Sequence, residues 1–311
     1  MNDVNVGSPF TLNNGAVLKN RFFKSAMSEQ LADRAHNPTP QLLTLYKVWA
    51  EGGTGLVVSG NIMVDRKHLG EPRNVVLDDA SDLEKFKAWT KAGSAEGAQI
   101  WAQLNHPGKQ VPNFIHKEPV APSAIPLARG LEKNFNKPRA LEEREIVEVI
   151  VKFVNAATLA KEAGFHGVQL HGAHGYLISQ FLSPRHNQRQ DKWGGSLDNR
   201  MRFVVSIYQA IREKLGSNFP IGIKLNSADF TKGGFSEEDS LLVVQKLGDL
   251  GFDLIEISGG TYEQPAMADG IKQKDSTIKR EAYFLEYAEN ARKVSNVHCG
   301  DWWFSFSQRN E

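Results

Sequence analysis

A chain of 311 residues, 41% of them hydrophobic, is long enough to bury one large core, and barrels of that size are routinely single domains. Its 37 Lys and Arg nearly cancel 36 Asp and Glu, so no global field points to nucleic acid or to an anionic membrane. Cys299 is the only cysteine, which excludes a disulfide framework and a Cys₄ iron–sulfur cluster within this chain. The opening residues lack a basic end followed by an apolar run, and no stretch approaches the roughly 18 apolar residues of a spanning helix. The expectation is a soluble, cytoplasmic protein.

Along the chain, short apolar runs rich in β-branched residues alternate with segments of helical period. A strand is expected over Arg21–Met27, a helix over Gln41–Glu51 and a second strand over Gly55–Met63. A helix over Leu83–Ala95 leads to the strand Gln99–Leu104, and a long helix over Glu142–Ala163 to the strand Gly167–His171. Asn199–Leu215 reads as helix, Ile221–Leu225 as strand, Ser236–Leu250 as helix and Leu254–Ser258 as strand. These strands are mostly apolar throughout, as parallel strands covered on both faces require. Gly52, Gly164 and Gly251 follow helices where a left-handed cap is expected.

Strands alternating with helices form either a doubly wound sheet or a barrel. No G-x-G-x-x-G follows the first strand, so the open sheet's dinucleotide fingerprint is missing. Unusual polar residues instead gather at the carboxyl ends of the strands, where barrel enzymes carry their chemistry. The expected fold is α/β, a TIM (β/α)8 barrel with about six of its eight strand–helix units present.

The fourth strand ends in His171 and His174, three apart, followed by Tyr176. Imidazoles there could donate to an anionic oxygen, and a phenol could deliver a proton. One structural and one surface histidine, or a zinc pair, are the competing readings. The segment supplies no cysteine or acidic third ligand, so no metal is assigned. The third strand end offers Gln103, Asn105 and His106, and the fifth Lys224, Asn226 and Asp229. A glutamine amide suits an imide-like edge, and a lysine could stabilise negative charge on the same ring. Each alone is more often structural; their shared position at strand ends raises the odds.

The stretch from His171-Gly-Ala-His-Gly-Tyr-Leu177 through Phe181-Leu-Ser-Pro-Arg-His-Asn187 to Trp193-Gly-Gly-Ser-Leu-Asp-Asn-Arg200 resembles the signature of the old yellow enzyme family, the NADH:flavin oxidoreductases. The resemblance extends to Lys19–Ser28, Gly55–Asn61, Ala102–Lys109, Ala121–Ala124 and Ile223–Thr231, and so runs from near the start to about Val297. It implies an FMN-dependent barrel that takes hydride from NADH or NADPH and passes it from flavin N5 to an activated alkene or similar small electrophile. Carried over by position, His171 and His174 would anchor the acceptor's oxygen and Tyr176 would donate the proton. Gln103 and Lys224 would contact the flavin ring, bordered by Ser25, Ala26, Met27, Ser28 and Asn61. Ser28 stands where relatives often have Thr or Cys, and Lys224 where they usually have Arg, which keeps the charge and loses the planar fork. The competing classes are a non-catalytic remnant and a metal-dependent barrel hydrolase.

After Val297 the match ends, so the chain divides into a barrel over 1–297 and an aberrant tail over 298–311. Relatives would continue with a seventh strand, a Thr-Gly-Gly-Phe-Arg-type turn and an eighth strand, whose loops bind the FMN phosphate. Trp302-Trp303-Phe304 must be encoded TGG TGG TT; one base onward that reads GGT GGT, a Gly-Gly pair. The tail therefore reads as a frameshift, and activity and FMN binding are expected to be impaired.

Overall fold

A computed structural model describes residues 5–263 and 274–301, with side chains over 5–263 and 283–298. Seven parallel strands form one sheet: β1 Phe23–Lys24, β2 Leu56–Met63, β3 Gln99–Asn105, β4 Gly167–Gly172, β5 Ile221–Asn226, β6 Leu254–Ser258 and β7 His298–Asp301. Each strand's neighbour in the sheet is its neighbour in sequence, from β1 at one edge to β7 at the other. A doubly wound sheet reverses its strand order at a switch point; this one never does. The singly wound order is that of the barrel.

The helices α1 Pro40–Glu51, α2 Leu83–Gly93, α3 Glu143–Glu162, α5 Leu197–Leu215, α6 Glu237–Leu250 and α7 Lys274–Val294 are the crossovers, and a short α4, Leu177–Leu182, precedes α5. All six predicted strand–helix units are present. Their local signals are conventional: Pro40 opens α1, Glu142 and Glu145 form a capping box on α3, and Ser196 and Ser236 accept backbone N–H groups at the starts of α5 and α6. Gly251 ends α6 at φ 91°, as expected. Gly52 does not take the left-handed role assigned to it, for its φ is −69° and Gly53 adopts 97° instead.

Most boundaries fall within two residues of expectation, with α2 ending at Gly93 and α5 starting at Leu197; two departures are larger. The first strand is ladder-paired only at Phe23 and Lys24, because Ser25 turns into the barrel to bond the Lys224 and Glu256 side chains. His298–Asp301, whose sequence carries no strand pattern, is a strand. It pairs along β6 from Leu254↔His298 to Ile257↔Asp301, so the neighbour supplies the template that its own side chains do not.

Strand interiors are buried on both faces, and the strand-to-helix layer forms one apolar cluster, in which the Phe203 ring stacks on Phe181 and meets Phe153 edge-on. The amino end of the barrel is closed by an antiparallel hairpin, Phe10–Thr11 with Val17–Leu18, packed on Leu56, Val58, Trp101 and Leu254. Trp101 fills the barrel's inside. A Cβ on Gly167 would sit 2.7 Å from its indole and one on Gly222 3.0 Å, so both positions need glycine for close approach. Among the described residues no helix is long and apolar enough to cross a membrane.

Asp253, just before β6, ties the helix layer to the sheet. Its Oδ2 accepts from Ile221 N–H at 2.8 Å and from the Arg212 guanidinium at 3.0 Å. Arg212 keeps the carbonyls of Ser217 and Phe219 as further partners, whereas the buried Ile221 N–H loses its acceptor if Asp253 goes. Asp253→Ala should therefore destabilise the fold by about 3 kcal/mol, the low end for breaking a buried pair. Urea unfolding checks this; a loss below about 1 kcal/mol would make the pair ordinary surface electrostatics.

Candidate active site

The parallel register stacks the polar residues inside the barrel. His171 lies opposite Lys224, Lys224 opposite Glu256, and Gln103 opposite Gln169. Lys224 Nζ stands 2.9 Å from Glu256 Oε1, with side-chain exposures of 2% and 0%. Ser25 Oγ accepts from Lys224 at 3.0 Å and donates to Glu256. Glu256 Oε2 takes the Gln169 amide at 2.7 Å, and Gln169 Oε1 takes Gln103 Nε2 at 2.7 Å. A carboxylate can only accept, so Gln169 must turn its NH₂ to Glu256 and its carbonyl to Gln103. Gln103 must then give an N–H to Gln169, which leaves its Oε1 with no other bond among the described residues. One buried carboxylate thus sets two amide orientations.

At the end of β4, the His171 and His174 rings stand 5.1 Å apart at 77°, and Tyr176 lies 4.7 Å from His171. The Ala173 N–H points at His171 Nδ1 over 3.4 Å, which places that ring's proton on Nε2. His174 adopts φ 61°, rare for a residue with a side chain. It is held there from three directions: Asn226 Oδ1 accepts its N–H at 3.2 Å, Gln110 donates to its carbonyl at 3.0 Å, and Thr261 bridges beside it. Its Nε2 is 2.7 Å from Ser258 Oγ at the end of β6. Burial lowers both imidazole pKa values, reinforced by the Lys224 charge and, for His171, by His174. Burial raises the Tyr176 phenol, helped by Tyr262 and by the Glu71 charge.

The remaining predicted contacts fall into two groups. Ser25, Gln103 and Lys224 are joined through Glu256, as described. Ser28 and Asn61 meet the loop after β2: Ser28 Oγ donates to Glu71, and Asn74 Nδ2 to Asn61 Oδ1 at 3.3 Å. Ala26 packs on the Leu56–Trp101 cluster, and Met27 is exposed. The other strand-end residues serve the scaffold. Asn226 holds His174; Asp229 bonds Ser183 Oγ and Phe235 N–H; His106 Nδ1 accepts from Gly108 N–H at 3.1 Å. Sequence reasoning missed Glu256, Gln169, Ser258 and Glu71. The signal for Glu256 was a lone charge inside the apolar run Leu254–Ser258.

The metal-hydrolase reading gains nothing from this geometry. Among the described residues the group with metal-ligand spacing is Asp65, His68 and His106, away from the histidine pair. There Lys152 Nζ sits 2.6 Å from Asp65 Oδ2, and the bond from Gly108 leaves the His106 proton on Nε2, the atom that would have to ligate.

Neutral histidines are directly testable. A group whose folded pKa lies below its free value of about 6.5 binds more protons when unfolded. The stability it lends is complete above that value and is lost as pH falls toward the folded pKa, about 3 for His174. Nitrogen-15 spectra should show His174 neutral throughout pH 5–8, and a ring titrating near 6.5 would remove it from the buried pair.

The profile of the NADH:flavin oxidoreductase / NADH oxidase family matches residues 6–300. The chain is 37% identical to the NADH-dependent flavin oxidoreductase iliE of Hypocrea jecorina, over 93% of this chain and 77% of that protein. With the NADH-dependent flavin oxidoreductase nadA of Aspergillus parasiticus it shares 36%, over 87% of this chain but only 64% of the relative. A 2-naphthoyl-CoA reductase structure superposes with a TM-score of 0.86 at 28% identity, over 96% of this chain and 46% of that one. Morphinone reductase, in complex with tetrahydroNAD, gives 0.77 at 25%, over 95% and 79%. With that profile spanning nearly every barrel strand, the chain belongs to the NADH:flavin oxidoreductase / NADH oxidase family.

Proposed function

We propose that this barrel binds FMN, accepts hydride from NADH or NADPH, and reduces an activated alkene or similar small electrophile. The observation that carries the reading is the convergence of a neutral histidine pair, a phenol, a lysine donor and a glutamine acceptor at the carboxyl ends of β3, β4 and β5. That set fits a flavin's pyrimidine edge, which needs donors for its oxygens and one acceptor for its imide N–H. Lys224 is the cationic donor, and Gln103 Oε1 is the acceptor left over; the Ser25 hydroxyl, its proton committed to Glu256, helps to fix Lys224. FMN, when bound, would supply the hydride.

The chain's own residues would do the rest. His171 Nε2–H and the His174 ring would hold the acceptor's carbonyl or nitro oxygen and stabilise the negative charge that develops there. Neutral imidazoles donate without first losing a proton to the acceptor. Tyr176, held protonated by burial, would deliver its proton to the alkene carbon that does not take the hydride. The balance is one hydride and one proton added across the double bond. NADPH stays an alternative reductant, and the physiological acceptor is any small molecule whose oxygen fits the pair.

On the out-of-frame reading of the tail, FMN binding and activity would be weaker than with the frame restored, because the sequence of the phosphate-binding turns would not be encoded. Residues 302–311 lie outside the described residues; the DNA across codons 295–300 decides the matter.

In FMN-loaded protein, Tyr176→Phe should slow flavin reoxidation by the alkene about 10² to 10⁴-fold while leaving flavin reduction by the nicotinamide nearly intact. Stopped-flow absorbance separates the two half-reactions. A parallel loss in both would make Tyr176 a packing residue.

A further inference from the structure

The loop after β2 carries a carboxylate into the site that no part of the proposed chemistry uses. Glu71 is held by neutral groups: Ser28 Oγ donates to Oε2, Asn74 Nδ2 donates to the same oxygen at 3.1 Å, and Gln30 Nε2 donates to Oε1 at 3.3 Å. Its own N–H is fixed by Asn74 Oδ1 at 2.7 Å. Among the described residues Glu71 makes no ion pair; the nearby Arg73 gives its Nε to the Ala32 carbonyl. The loop is anchored at both ends, by the Met63↔Val76 bridge and by Ala32 N–H on the Arg73 carbonyl. The carboxylate's field reaches both phenols at the mouth, Tyr176 and Tyr262.

Three neutral donors orient a carboxylate without cancelling its charge, whereas an arginine partner would do both. The result is a fixed negative charge beside the carboxyl end of β2, bonded to Ser28 directly and tied to Asn61 through Asn74, with its field reaching Tyr176. We propose that Glu71 is a specificity-determining residue, one that makes the acceptor pocket take uncharged electrophiles and turn away carboxylates. This rests on the reading of the cleft as an ene-reductase site. Excluding a ligand needs only an unfavourable charge at the right place, and a like-charge contact discriminates without any added attraction for the favoured ligand.

The alternative role for Glu71 is that of a loop staple, and the two roles separate under substitution. Glu71→Gln keeps the shape and hydrogen-bonding capacity and removes the charge; Glu71→Ala removes both. Calorimetry with cinnamate and its uncharged counterpart cinnamamide, on the protein as purified, reads the selection without turnover. Glu71→Gln should tighten cinnamate about tenfold, the effect of one partly screened charge, leave cinnamamide within about twofold, and lose the difference in high salt. An unchanged ratio of the two affinities in Glu71→Gln overturns the proposal, as does absence of binding for both ligands. Equal weakening of both ligands in Glu71→Ala, with Glu71→Gln like the unsubstituted protein, shows a staple and overturns it too. If the ratio shifts as expected but the FMN-loaded protein reduces no alkene, charge selection stands and the ene-reductase reading fails.

Discussion

The buried pair of Lys224 and Glu256 is the interaction on which the site's order depends. Both side chains are almost wholly removed from water, and withdrawing two charges costs several kcal/mol per ion before their attraction repays it. An apolar pair of similar volume would serve the core at least as well. What the ion pair adds is direction. Glu256 can only accept, so Ser25, Gln169 and, through Gln169, Gln103 are each turned one way. The edge offered to a ring ligand is then a defined row of donors and one acceptor rather than a set of amides free to flip.

That row exists because the sheet is singly wound and in register. Cross-strand partners on parallel strands bring Gln103 beside Gln169, and Glu256 beside Lys224 beside His171. A slip of one residue on β5 would send Lys224 into the helix layer. Trp101 limits the other end: with Gly167 and Gly222 yielding space for its indole, the amino end is filled and the polar groups lie above it. Packing below and charge above are two parts of one constraint.

Much of this was legible in the sequence, for identifiable reasons. The apolar runs of β2 to β6 read as strands because both their faces are buried, and α3 and α6 read as helices from their period and from the left-handed glycines that follow them, Gly164 and Gly251. The histidine pair and Tyr176 were found because they stand together in sequence. Glu256 was not found because its partners, Ser25 just after β1, Gln169 on β4 and Lys224 on β5, lie up to 231 residues away, and a lone charge in an apolar run does not say which groups it meets. Glu71 was missed for the same reason: nothing in its loop shows that it reaches Ser28. β7 was unreadable in principle, because its register is imposed by β6 rather than by its own residues.

His174 shows how the scaffold and the chemistry meet. A side-chain-bearing residue at φ 61° costs of the order of 1–3 kcal/mol and persists only where its surroundings over-determine it. Here the over-determination is visible: Asn226 from β5, Gln110 from beyond β3 and Thr261 from beyond β6 each hold the same backbone turn. Gly175, at φ 76°, continues that turn and delivers Tyr176 beside the His171 ring. The turn thus places a phenol and two imidazoles around one small volume, which an ordinary strand-to-helix connection could not do. Asn226 stood in the sequence only as one of the polar groups at the end of β5; here it holds His174 in the conformation that closes the triad.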